Sequence, residues 1–229
     1  MKKLTRVATG DLLYIWHYDR QRAIQCSALN FIKDLPRFLV LLLAMQRFHN
    51  RHWGLHPLID PKFGELAEPP PNSPVVTTML INDREQGRVD VTLDWSSENR
   101  VSHYGLNGRA TNVYPATSNK FASRGNLVAK LFWTEESRTS EPEILKKVYE
   151  IAEKEPEVRN HVPDMVFFHE FPESSTTIIR KRLNLPEEGA RVLYLILFRE
   201  LAPITKLTGD LFLNCWRTRS NVNALPCSD

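Results

Sequence analysis

The chain has 229 residues, of which 42% are hydrophobic and 25% charged, and its formal net charge at pH 7 is +3. This composition is typical of a globular protein of one or two domains, and it excludes wholesale disorder, a collagen helix and a long coiled coil. The nine glycines form no dense cluster, which argues against dinucleotide-binding and P-loop folds, since these need several glycines in one short segment.

The apolar runs and the cysteines indicate an intracellular protein, cytoplasmic or nuclear, with no membrane segment. The longest apolar run, residues 38–45, is too short to cross a membrane, and the first residues lack the apolar core of a signal peptide. Three sparse cysteines, Cys26, Cys215 and Cys227, are typical of reduced thiols rather than of a zinc knuckle or a disulfide framework.

The first region, residues 1–68, is predicted to form a hairpin followed by a helix. Strand-like runs at 12–16 and 23–26 flank a turn at residues 19–21. Residues 35–48 carry apolar side chains around most of a helical circumference, which predicts a buried helix. The second region, 69–100, opens with a proline-rich linker and carries two predicted strands.

The third region, 101–218, alternates strands and helices in a pattern that predicts an α+β fold. Its predicted strands lie near 101–106, 112–117, 127–132, 165–169 and 192–198, and its predicted helices near 141–153, 175–183 and 208–218. The helix at 141–153 has one apolar stripe, and Ser140 with Glu143 gives it the sequence signature of a capping box.

Three features of the third region together predict a phosphate-binding arrangement. Small residues begin at Gly108, Lys130 ends the apolar run Leu127–Ala129, and Glu141 begins the following helix. Small residues let backbone approach phosphates, a lysine contacts them as a point charge, and a helix carboxylate holds the lysine in place. Each feature alone is more commonly a surface lysine or a glutamate at a helix N-terminus, so the signal lies in their order.

A wider set of motifs carries a resemblance to a known family. The motifs are residues 15–20, 31–39, 53–57, 108–113, 127–130, 140–145, 189–193 and 198–209. With them the chain resembles the fungal-type protein kinase family, a branch of the protein-kinase-like fold, over nearly its whole length to about Trp216. The tail, 219–229, lies outside the resemblance.

The resemblance implies a kinase N-lobe, a five-stranded antiparallel sheet with one packed helix, that binds ATP with Mg²⁺. By position, Lys130 would contact the nucleotide phosphates and Glu141 would hold the lysine, with Glu143 as the alternative partner. Glu200 and Leu201 would lie at the hinge, where backbone groups bind adenine in kinases.

The phosphate loop departs from the usual kinase pattern. Gly108 matches its middle glycine, whereas Leu106 and Thr111 stand where many kinases have the other two. A loop with one glycine is stiffer, because glycine alone populates positive φ freely.

A larger departure follows Lys130. The sequence contains no H-R-D-type catalytic loop and no D-F-G aspartate, and Lys62-Phe63-Gly64 lacks the aspartate and precedes the loop. We therefore expect the second lobe to be missing and phosphoryl transfer to be lost, since transfer depends on the base and the metal ligands. One hypothesis is the ATP-binding part of a serine/threonine protein kinase, truncated before the catalytic loop. The other is a non-catalytic, pseudokinase-like binding module or degenerate gene fragment.

The remaining signals predict no other function. His49, His52 and His56 lie near a helix end with no acidic or cysteine ligand placed beside them, so we predict no metal site. Arg180-Lys181-Arg182 is flanked by apolar residues, which favours the charged outer face of a helix over nucleic-acid binding. No G-x-S-x-G elbow indicates a hydrolase.

Overall fold

The structure is a computed structural model, and it describes residues 3–53, 75–102, 108–155, 162–201 and 209. The described residues form two antiparallel sheets and a few helices, which is an α+β architecture compatible with a kinase-like domain. The predicted helix at 208–218 and the tail 219–229 lie outside the described residues, apart from Gly209.

The smaller sheet lies at the N-terminus and is built around its second strand. Its strands are β1 (Lys3–Thr9), β2 (Leu12–Tyr18), β3 (Ala23–Gln25) and β4 (Leu29–Asn30). β2 pairs with each of the others, and its pairing with β3 is the hairpin predicted from the sequence. β1 was not predicted, because its segment has no clean alternation of apolar and polar residues.

Helix α1 (Leu35–Gln46) has the predicted position but not the predicted burial. Met45 is buried, whereas Leu35, Leu39, Val40 and Leu43 are between 49% and 66% exposed. The expectation of a buried helix was therefore wrong. Apolar residues all around a helix predict burial, but they do not indicate which face packs against a neighbouring element.

The larger sheet has seven strands among the described residues, in the order β10-β11-β9-β8-β6-β5, with β7 paired to β8. The strands are β5 (Val76–Asp83), β6 (Gly87–Asp94), β7 (Val101–Ser102), β8 (Asn112–Thr117), β9 (Leu127–Glu135), β10 (Met165–Phe171) and β11 (Arg191–Arg199). The third region supplies five of them, as expected. The sheet is wider than expected because β5 and β6 join it through the pairing of β6 with β8.

Among the described residues, two α-helices accompany the larger sheet. Helix α2 (Glu141–Lys154) lies between β9 and β10 in the chain, and helix α3 (Thr177–Arg182) lies between β10 and β11. The Tyr149 hydroxyl of α2 donates to the Pro163 carbonyl and accepts from the Met165 N–H. These two hydrogen bonds fix α2 against the start of β10.

The larger sheet curls until its two outer strands meet. The Nδ1 atom of His169, on β10, lies 3.7 Å from an oxygen of Asp83, on β5. The curled sheet encloses an apolar core to which all its strands except the two-residue β7 contribute. Its members include Met79, Val91, Leu93, Ala129, Leu131, Phe167, Phe171, Leu195 and Leu197. A second, smaller cluster of Phe132, Val192, Tyr194 and Ile196 packs on the opposite face.

Candidate functional site

Lys130 and Glu141 form a close ion pair between β9 and α2. The Lys130 Nζ atom lies 2.6 Å from each carboxylate oxygen of Glu141, and it stands 4.9 Å from the centre of the Phe132 ring. The two charged side chains are 26% and 34% exposed. An ammonium group has three N–H donors, so the two contacts with Glu141 leave a third for a ligand.

The strand period explains why Lys130 is reachable. Ala129, Leu131 and Trp133 belong to the main core, and alternation places Lys130 and Phe132 on the opposite face of β9. A lysine inside the enclosed core would carry a charge without water. On the outer face it meets the first turn of α2 instead.

The neighbouring Glu143 has a different partner. Its carboxylate accepts from the Ser140 N–H at 2.8 Å and from the Ser140 hydroxyl at 3.0 Å. The Glu143 backbone N–H donates to the Ser140 Oγ atom at 3.4 Å. The Ser140 backbone N–H is the main reason that the pKa of Glu143 is lowered, followed by the Ser140 hydroxyl. Glu143 therefore closes the capping box, and Glu141 contacts Lys130.

The segment that precedes β8 adopts backbone conformations that favour glycine. Gly108 has a φ of 84°, and Ala110 has a φ of 40° although it carries a Cβ atom. The Trp133 N–H of β9 donates to the Arg109 carbonyl at 2.7 Å, so the segment continues along the end of β9. Leu106 lies outside the described residues, and Thr111 is half-buried directly before β8.

Glu200 and Leu201 follow the last residue of β11. The Glu200 N–H donates to the Asn126 carbonyl at 2.9 Å, which fixes this point beside the start of β9, and Leu201 is exposed. Ile196 of β11 is opposite Lys130. Glu200 lies four positions after Ile196, which is roughly 13 Å along a strand.

These positions give the face of β9 a linear order. The predicted hinge residues stand at the start of the strand, Lys130 in its middle, and the Gly108 segment at its far end. The structure thus brings Lys130 and Glu141 into contact and sets Gly108 and Glu200 on either side of Lys130 along β9.

A buried ion pair that the sequence did not predict joins the turn between β2 and β3 to helix α3. The turn at residues 19–22, here called the N-terminal turn, carries Asp19, whose carboxylate is 3.4 Å from the Arg180 guanidinium of α3. The sequence pattern predicted Arg180 on a charged outer helix face, yet Arg180 is 5% exposed. Its flanking isoleucines were the available signal, because they also place residue 180 near an apolar surface.

The structure also describes several other residues that the sequence singled out, among them two of the three histidines and Cys26. The His52 Nδ1 atom accepts from the His49 N–H at 3.0 Å, and the His52 ring packs against Phe48; His56 lies outside the described residues. Among the described residues, no group of three or more His, Cys, Asp or Glu side chains could hold a metal ion. Cys26 is an exposed free thiol. In the part of the chain that the structure describes, no helix has the length and apolar character needed to span a bilayer.

Comparison with known proteins agrees with this α+β, kinase-like architecture. The chain matches the family model of fungal protein kinases over residues 5–197, which is well over half of its length. The protein therefore belongs to the fungal protein kinase family. A search of curated proteins and a search of solved structures each found no match.

Proposed function

We propose that the larger sheet and α2 form a nucleotide-binding lobe of the protein-kinase type, which takes ATP. Lys130 contacts the phosphates, Glu141 holds Lys130, Gly108 lies in the phosphate loop, and Glu200 with Leu201 borders the adenine. The observation that carries the proposal is the contact of Lys130 Nζ with both oxygens of Glu141, at 2.6 Å. Protein kinases use this strand-lysine and helix-glutamate pair to position ATP phosphates.

The strand order supports the same assignment. Strands β7, β8, β9, β11 and β10 are neighbours in that order and are antiparallel, and α2 enters between β9 and β10 in the chain. This arrangement is compatible with the five-stranded sheet and single helix of a kinase N-lobe. We place the lobe at residues 101–218, after an N-terminal region at 1–68 and a linker with two strands at 69–100.

The linear order along β9 gives the bound nucleotide a direction. Adenine lies beside Glu200, where the chain leaves β11, and the phosphates extend past Lys130 towards Gly108. The roughly 13 Å between the hinge and the level of Lys130 leaves room for the base and the sugar. Apolar side chains of the outer cluster, such as Phe132, lie on the same face.

The proposal is limited to nucleotide binding, with Mg²⁺ entering as the counter-ion of ATP. Protein kinases hold magnesium with a D-F-G aspartate and a catalytic-loop asparagine, and the present sequence has neither motif. The alternative is a non-catalytic, pseudokinase-like binding module that binds no nucleotide.

The test compares ATP binding by the wild-type chain and by Lys130→Met, measured by calorimetry with and without Mg²⁺. We expect wild type to bind ATP and Lys130→Met to lose at least tenfold in affinity, about 1.4 kcal/mol, because a charged contact to phosphate is removed. The free energy of unfolding of the variant should change by less than about 1 kcal/mol, because the ion pair is partly exposed.

Lys146→Met is the matched control. Lys146 stands over the Phe168 ring at 4.8 Å, much as Lys130 stands over Phe132. The control therefore removes a similar lysine–ring contact from the same helix–sheet interface. Equal affinities in the two variants, or a wild-type chain that binds no ATP, would sink the proposal and favour the binding module.

A further inference from the structure

The N-terminal turn, residues 19–22, contacts the phosphate loop directly. The Gly108 N–H donates to the Arg20 carbonyl at 2.9 Å, although Arg20 follows a strand of the smaller sheet and Gly108 precedes a strand of the larger one. An N–H in a phosphate loop is a donor that would otherwise be satisfied by water or ligand. The contact therefore ties the position of Gly108 to the position of the turn.

The turn is itself rigidly built. One oxygen of Asp19 accepts from the Gln21 N–H and the Arg22 N–H, both at 2.8 Å, and the Asp19 N–H donates to the Arg22 carbonyl at 3.2 Å. This local closure presents the Arg20 carbonyl in one direction. A flexible turn would not hold Gly108 at a fixed place.

Two further groups fasten the turn to the larger sheet. The Asp19 side chain, 1% exposed, pairs with Arg180 at 3.4 Å. The Gln21 amide donates to the Glu188 carbonyl at 2.5 Å and accepts from the Thr176 hydroxyl at 2.9 Å. Thr176 is fully buried, and its hydroxyl also accepts from the Arg191 N–H at the start of β11.

From these contacts we infer that the N-terminal turn is a positioning device for the phosphate loop, with Asp19 and Gln21 as positioning residues. The inference rests on the proposed nucleotide site. The docked turn fixes the position of Gly108 in the loop through the Arg20 carbonyl. Release of the turn loosens Gly108 and weakens the binding of phosphates, while the binding of the adenosine part is unaffected.

The test uses the full chain with Asp19→Asn, which keeps the shape of the turn and removes the charge that faces buried Arg180. Two readouts are compared with wild type: hydrogen exchange at the Gly108 amide, followed by NMR, and the ratio of ATP to adenosine affinity. We expect exchange to accelerate about tenfold and ATP affinity to fall about fivefold, with adenosine within about twofold.

The control is Asp94→Asn, whose carboxylate caps another turn by accepting from the Ser96 N–H at 2.9 Å. Both readouts should match wild type in this control. Unchanged exchange at Gly108 in Asp19→Asn, or equal weakening of ATP and adenosine, overturns the inference. If wild type binds no nucleotide, the proposed function fails separately, and Gly108 exchange still decides whether the turn supports the loop.

A second variant covers the case in which Asp19→Asn does not fold. Gln21→Ala removes the bridge to Thr176 and Glu188 without leaving a buried charge, and Gln25→Ala, at an exposed position of β3, is its control. We expect the same direction in both readouts with a smaller effect, about threefold on ATP. A ratio of ATP to adenosine affinity that equals that of Gln25→Ala overturns the inference.

Discussion

The Arg180–Asp19 and Lys130–Glu141 ion pairs differ in how far water reaches them. The side chains of Arg180 and Asp19 are 6% and 1% exposed, whereas those of Lys130 and Glu141 are 26% and 34% exposed. Burial removes both charges of the first pair from any ligand, so its effect lies in docking the N-terminal turn. Partial exposure leaves the second pair with little stabilising effect but with a lysine that a ligand can contact.

The first prediction concerns the buried pair and is the largest. Arg180→Met should lower the free energy of unfolding by about 3 kcal/mol, because it leaves the buried Asp19 carboxylate without the Arg180 guanidinium. Denaturant unfolding measures the loss. Arg182→Met, at an exposed position of the same helix, should change stability by less than about 0.5 kcal/mol. Similar losses of unfolding free energy in the two variants would contradict the prediction that the buried pair contributes more than a surface arginine.

The second prediction sharpens the distinction between Glu141 and Glu143. Ser140→Ala removes the N-cap of α2 and should lower the free energy of unfolding by about 1 kcal/mol. It should leave ATP affinity within about twofold, because Lys130 contacts Glu141 and not the capping box. Ser137→Ala, an exposed position before the helix, is the control. A large fall in ATP affinity in Ser140→Ala would mean that the two glutamates act together.

The third and smallest prediction concerns a pair of intermediate exposure, His169 with Asp83. The N–H of Gln86 is the main reason that the pKa of Asp83 lies below its usual 3.8. The Glu85 N–H and the His169 side chain lower the pKa further. Because this pKa is lower in the folded state than in the unfolded state, ionised Asp83 stabilises the fold at pH values above the unfolded-state pKa. That stabilisation is lost as the pH falls through the folded-state pKa. Asp83→Asn should therefore be about 0.5 kcal/mol less stable than wild type at pH 7.

The difference should shrink as the pH falls below 3.8, which unfolding curves at several pH values would record. Asp11→Asn, at an exposed turn, should show no such pH-dependent difference. If the difference in unfolding free energy between Asp83→Asn and wild type stays constant down to the lowest pH, the carboxylate charge is not its cause.

Local patterns predicted much of the fold and part of the site. Alternation along β9 and β11, and the Ser140–Glu143 box of α2, are encoded by residues that are close in sequence. The order of Gly108, Lys130 and Glu141 predicted a phosphate-binding arrangement, and the structure shows the contact of Lys130 with Glu141. Strand alternation and helix capping depend on short-range chemistry, which is why a single sequence was enough to predict them.

Long-range contacts were not predictable in the same way. The burial of Arg180 depends on Asp19, which lies 161 positions away in the chain, and no local pattern specifies that partner. The exposure of α1 depends on which element covers it, and its apolar residues point in every direction. β1 was missed because pairing with β2, rather than its own composition, makes it a strand.

The meeting of β5 and β10 through Asp83 and His169 has a consequence for the order of folding. The β5–β6 hairpin is local and closes a short loop, whereas its contact with β10 must wait until the intervening strands and α2 are in place. A sheet that curls onto itself also leaves less backbone edge available for pairing with other chains. Until that last contact forms, a newly made chain exposes an apolar hairpin, which is the stage at which self-association competes with folding.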